Sequence, residues 1–159
     1  MKATIIPVKM IAEAVDFRPA FELILEDLKT HPERAHRSVI LISSGTEDPS
    51  TLKDAKANMY EQQTFENPIK RLLDRGVPIV CAAGNYADNP NRQNIDTQPA
   101  LYQAEDTPII NVGAASFAGE RYTKSQAGSQ LTLYAPGVEI EYGEFDVGKR
   151  LLTGTSMGE

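Results

Sequence analysis

A single cysteine, Cys81, closes two kinds of chemistry to this chain: no intrachain disulfide and no cysteine-based metal cluster can form. No stretch approaches the ~18 apolar residues of a membrane span. The opening residues, MKATIIP, lack the apolar h-region of a signal peptide, and no Asn-x-Ser/Thr sequon occurs. No membrane partner is expected, and nothing in the sequence assigns a compartment. Basic residues number 16 against 22 acidic ones, for a net charge of −6. That balance argues against nucleic acid as a partner, because phosphate binding needs clustered Lys and Arg. No run of five like charges marks a tail. Neither a G-x-G-x-x-G nor a Walker A sequence is present, which counts against a nucleotide-binding domain. Histidine is scarce as well, with only His31 and His36.

What is present suits a folded domain. Hydrophobic residues make up 41% and charged residues 24%, proportions that permit a packed core. The 159 residues are one domain's worth of chain. Residues 4–10 (TIIPVKM) read as a strand near an edge or irregularity, because Pro7 cannot donate to a ladder. Phe17, Ala20, Phe21, Ile24 and Leu28 recur at helical spacing and predict a helix over 17–30, ended by His31-Pro32. The run 39–43 (VILIS) reads as a buried parallel strand. Residues 46–62 are polar and without clear period. A second helix is predicted over 64–75, with Gly76 at its C-cap. Strands follow at 77–82, 108–113 and 131–135, and 138–153 suits a hairpin. The polar stretch 86–107 is long for a loop in a compact domain, a length that belongs to functional or poorly ordered loops. Alternation of strands and helices predicts an α/β domain with a mostly parallel sheet.

In open parallel sheets, ligands bind beyond the carboxyl ends of the strands. Three clusters of small or polar residues fall there: Ser43-Ser44-Gly45, Ala82-Ala83-Gly84-Asn85, and Gly154-Thr155-Ser156. Taken singly, each is what ends a strand in any protein. Their order and wording say more. The segment VCAAGN (80–85) resembles the subtilisin-family strand ending in A-A-G-N, and INVGA (110–114) resembles its V-G-A strand. YAPGV (134–138) resembles its A-P-G segment, GTSM (154–157) its nucleophile motif, and VILISSG (39–45) the strand lining its substrate cleft.

The resemblance to subtilisin-like serine endopeptidases implies a three-layer α/β fold with a mostly parallel sheet, incomplete at both ends, over residues 1–159. It implies Ser156 as nucleophile and Asn85 as the side-chain donor of the oxyanion hole. Ser43, Ser44 and Gly45 would flank the substrate, and Ala82, Ala83 and Gly84 would form the opposite wall of its main pocket. The substrate would be a peptide or protein, and no cofactor is implied. A structural calcium ion finds no support, since Asp88, Asp96 and Asp106 lack regular ligand spacing. The family's aspartate and histidine lie before the matched segments, and a long helix follows its serine; neither part matches here. The isolated chain is therefore expected to be inactive, and a non-catalytic interaction module on the same scaffold is the alternative. His31 and His36 are no replacement base, because strand 39–43 at ~3.3 Å per residue puts them roughly 17 Å from the cleft. Cys81 reads as a buried strand residue. GTSMG also fits the G-x-S-x-G elbow of α/β-hydrolases, but that fold needs its acid and histidine after the serine, where only Glu159 stands.

Overall fold

A computed structural model describes residues 3–8, 17–46, 52–144 and 148–159. Helix α1 (Arg18–Thr30) has Pro19 in its first turn, where the missing N–H is no loss, and buries Phe21, Leu25 and Leu28 along one face. His31 closes it, donating its N–H to Asp27 O at 2.8 Å just ahead of Pro32. A 3₁₀ segment (Pro32–Arg37) then leads into β1 (Ile40–Ile42).

The next helical region starts earlier than its apolar pattern predicted. After α2 (Leu52–Ala57), the Asn58 side chain caps α3 (Met59–Glu61) by accepting the Tyr60 N–H at 2.9 Å. A π-helical turn (Gln62–Glu66) joins α3 to α4 (Asn67–Leu73). Helices α2 and α3, of 6 and 3 residues, are each too short to print a 3.6-residue period, which is why this stretch read as aperiodic. Gly76, at φ +73°, ends the helix as expected, with its N–H on Leu73 O at 2.8 Å.

Strands β1, β2 (Ile79–Ala82), β3 (Ile110–Ala115) and β4 (Leu133–Pro136) form one four-stranded parallel sheet in that order. Ile42 pairs with Cys81, Cys81 with Asn111, and Val112 with Leu133. Strands β5 (Ile140–Glu144) and β6 (Gly148–Leu152) make the separate antiparallel hairpin predicted for 138–153. The strand predicted over 4–10 is a correction. Residues 3–8 form no strand, Ile5 is 87% exposed, and residues 9 and 10 lie outside the described residues. Pro7 interrupts the row of donors that a ladder needs.

On one face of the sheet, Ile79, Cys81 and Ala83 alternate inward against Phe21, Leu25, Ile69 and Leu72. Phe65 sits at the centre, its ring centroid 5.3 Å from that of Phe17 and 6.0 Å from that of Tyr102. The stretch 86–107 feeds this core: Ile95, Leu101 and Tyr102 are buried in it. Asn111, wholly buried on β3, donates to Ala100 O at 2.8 Å and to Gln130 O at 2.9 Å, so the long segment is tied to the sheet. The expectation that 39–43 is buried on both faces needs correction. Val39 and Leu41 are 54% and 58% exposed: side chains alternate between the two faces, and Ile40 and Ile42 turn toward the helices while Leu41 points to the other face.

Candidate active site

Three chain segments meet at the carboxyl rim of the sheet. Strand β1 runs out into Ser43-Ser44-Gly45, and β2 into Ala83-Gly84-Asn85, with Gly84 at φ +102°. The third segment is a 3₁₀ turn (Thr155–Met157) delivered by the β5–β6 hairpin. That hairpin is pinned at its base, where Gly154 donates its N–H to Gly137 O at 2.8 Å. A Cβ on Gly137 would lie 2.7 Å from Gly154 O, so the two backbones can approach this closely only at glycine.

Thr155 locks the turn onto β2. It is wholly buried, its N–H donates to Asn85 Oδ1 at 2.9 Å, and its Oγ1 accepts the Gly84 N–H at 3.2 Å. With Oδ1 engaged, the Nδ2 end of Asn85 remains as the donor. Ser156 Oγ donates to Ser43 O at 3.4 Å, a long bond that reaches across to β1. Asn85, Ser156 and Ser43 therefore share one rim, as their positions after strand ends predicted.

Between these segments lies a cavity of about 360 Å³. Ser43, Ser44 and Gly45 line one side, Ala82, Gly84 and Asn85 the other. Residues 97–100 also line it, held to the segment that follows β1 by two bonds: Thr46 N–H to Gln98 O at 3.0 Å and Gln98 N–H to Thr46 O at 2.8 Å. Among the described residues no charged side chain lines it. Ala83 is the exception among the expected wall residues. It is wholly buried in the helix-side core and does not line the cavity, because successive strand residues point to opposite faces. Cys81 does line it, although its thiol is deep in the core; burial, and then the Glu159 carboxylate, push that thiol far above the ordinary cysteine range. Glu159 itself accepts the Ser43 hydroxyl at 2.6 Å, and burial raises its carboxyl to about 6 against the opposing pull of that bond.

Other candidates are engaged elsewhere. His31 caps α1 and faces Asp27 at 3.3 Å, and His36 lies in the 3₁₀ segment before β1, at the opposite end of that strand from Ser43. Asp88 pairs with Lys124 at 3.1 Å, Asp106 with Lys70 at 3.2 Å, and Asp96 with Arg92 at 2.6 Å. Among the described residues no three His, Cys, Asp or Glu side chains gather as metal ligands, and no helix is long and apolar enough to cross a membrane. Sequence reasoning passed over Thr155, Tyr86 and Gln126. Thr155 was visible inside the GTSM motif; Tyr86 lines the cavity beside Asn85, and Gln126 carries no sequence signal at all.

Comparison with known proteins bears on the family and the fold. The model of the subtilase family matches residues 2–158. The chain is 30% identical over 144 residues to the major intracellular serine protease of Bacillus subtilis, an alignment spanning 86% of this chain and 38% of that protein. It is 32% identical over 82 residues to a subtilisin of Bacillus pumilus, covering 49% of this chain and 28% of the relative. The chain thus spans well under half of the relatives it matches. Among solved structures, the prenylagaramide maturation protease PagA superposes with a TM-score of 0.64 at 21% identity, over 89% of this chain and 43% of that one. A cold-adapted subtilisin-like serine proteinase does so with a TM-score of 0.55 at 24% identity, over 76% of this chain and 37% of that one. Both likenesses bear on the fold.

Proposed function

The chain belongs to the subtilase family, and we propose that it carries the nucleophile and oxyanion-binding part of a serine endopeptidase site. Ser156 is the nucleophile, Asn85 the side-chain donor to the oxyanion, and the cavity between β1 and β2 takes a side chain of the substrate peptide. The observation that carries this reading is the bond from Thr155 N–H to Asn85 Oδ1, which holds the serine turn and the amide donor together. In the reaction, Ser156 Oγ attacks the scissile carbonyl carbon while a base takes its proton. The carbonyl oxygen becomes an oxyanion, met by Asn85 Nδ2–H and the Ser156 backbone N–H. Collapse expels the amine with a proton and leaves an acyl-serine, which water then hydrolyses. The backbone of Ser43 to Gly45 and of Ala82 and Gly84 flanks the peptide.

The base is the part this chain does not supply. His31 and His36 are at the far end of β1, so the Ser156 hydroxyl stays protonated and weakly nucleophilic. The 159-residue chain alone therefore does not hydrolyse peptides at a useful rate. The same feature favours a second reading, a non-catalytic interaction module on this scaffold. A fluorophosphonate probe separates them. The chain alone should resist stoichiometric labelling. A chain extended with family-type aspartate and histidine segments and the helix after the serine should label and cleave peptides, and Ser156→Ala should abolish both. Labelling of the short chain at Ser156 would overturn its inactivity, and a folded but unreactive extended chain would favour the second reading.

A further inference from the structure

We propose that Gln126 is a positioning residue: its buried side-chain amide holds the 92–96 loop and its backbone N–H holds Gly84, which fixes the Gly84-Asn85 turn against that loop. The inference rests on the reading of Asn85 as oxyanion donor. Gln126 is 0% exposed. Its Nε2 faces three acceptors, Arg92 O at 3.0 Å, Asn94 O at 2.7 Å and Asp96 Oδ1 at 2.9 Å, which its two hydrogens share, so the 92–96 loop is wound around one nitrogen. Its backbone N–H donates to Gly84 O at 2.9 Å, directly before Asn85.

The residue is anchored on both sides. Ser125 Oγ accepts the Ala114 N–H of β3 at 3.1 Å, and Ala127 exchanges bonds with the loop through Gln93 O and the Ile95 N–H, at 3.0 and 2.8 Å. Through Asp96 the network reaches the cavity again: Arg92 grips that carboxylate at 2.6 and 2.9 Å and lays its guanidinium 3.9 Å over the ring of Tyr86, which lines the cavity. Burial works to raise the Asp96 carboxyl, but the bonds from Arg92 and Gln126 outweigh it and hold the group below the ordinary range. A single residue thus ties the Gly84-Asn85 turn to the 92–96 loop, by its backbone N–H on one side and its side-chain amide on the other. It would act on catalysis only through Asn85, whose Oδ1 receives the Thr155 N–H.

Backbone amide exchange of the full 159-residue chain, followed by NMR, tests this without turnover. The Thr155 N–H reports the bond to Asn85, and the Ile40 N–H, bonded to Pro78 O at 2.9 Å, reports the sheet away from Gln126. In Gln126→Ala, the Thr155 protection factor should fall about tenfold more than that of Ile40, as a local opening requires. An equal fall at both amides is what a merely structural role gives, and would overturn the proposal. Gln126→Glu keeps the side-chain shape but at pH 7 turns a carboxylate on two carbonyls and Asp96. It should lose Thr155 protection at pH 7 and regain most of it at pH 4, where its protonated carboxyl donates again. Gln126→Ala should show no such recovery. If Gln126→Ala fails to fold, the Gln126→Glu comparison decides alone, and absence of recovery overturns the proposal. Failure of the folded, extended chain to label with the fluorophosphonate would sink the catalytic reading while leaving this exchange result untouched.

Discussion

Replacing Gly84 by alanine probes the closest packing in the site. Gly84 holds φ +102°, a backbone conformation that costs an L-residue about 1–3 kcal/mol. Its new Cβ would overlap Gln126 Oε1 and lie 3.0 Å from Gln126 Cδ. Gln126 cannot swing away without leaving the three acceptors on its nitrogen, so overpacking adds about 1–3 kcal/mol. Gly76→Ala supplies the reference. That glycine has φ +73° with nothing within 4 Å of the added Cβ, so only backbone strain of about 1–2 kcal/mol applies. Urea unfolding followed by circular dichroism should place Gly84→Ala about 2 kcal/mol below Gly76→Ala at unchanged m-value. The double variant Gly84→Ala/Gln126→Ala should recover more than 1 kcal/mol relative to additivity, roughly the coupling expected of groups in contact. Equal losses for the two glycines, or strict additivity, would refute the packing argument.

Glu159 links stability to pH. Its carboxyl is raised from 4.5 to about 6, so between those values the folded chain binds more protons than the unfolded one. The stabilising contribution is complete below pH 4.5 and is lost as pH rises through about 6. After allowance for its partial exposure this is about 1 kcal/mol, and Glu159→Gln should flatten the urea midpoint between pH 4 and pH 7. An unchanged pH slope in that variant would refute the assignment. Phe65→Ala removes the ring that joins Phe17 to Tyr102 and should cost about 3–5 kcal/mol in the same unfolding assay, with a loss under 1 kcal/mol arguing against a close-packed cluster.

The fold was legible wherever burial and periodicity coincide. Phe21, Leu25 and Leu28 reveal α1, and Ile79 and Cys81 reveal β2, because one face of each element meets the same core. Legibility failed where the local pattern depends on partners far along the chain. The run 39–42 is apolar throughout, yet Leu41 is exposed, since it points to the face opposite the helices and the covering of that face is set by distant parts of the chain and not by its own composition. Likewise the TIIPVKM segment has strand composition, but residues 3–8 find no ladder. Ahead of Phe65 the chain forms only the short helices α2 and α3, of 6 and 3 residues, so a 3.6-residue template sees the apolar stripe only from Phe65 onward.

The site divides along the same line. Ser43, Asn85 and Ser156 are legible because each follows a strand or hairpin that the chain brings to one rim, and short motifs record those endings. Strand parity then sorts the neighbours. Ala82 faces the cavity and Ala83 the core, an assignment that two adjacent alanines cannot announce in sequence but that the pairing of Cys81 with Ile42 and Asn111 dictates. Gln126 is hidden for a stronger reason. Its partners lie 30 to 42 residues earlier, at Gly84, Arg92, Asn94 and Asp96, and a polar residue in S-Q-A-G has no period to betray burial. A motif can name the groups aimed at a substrate. The stiffness behind them comes from buried polar bonds across distant loops, and a fully buried amide with its donors spent on loop carbonyls is the physical mark by which such a clamp is found.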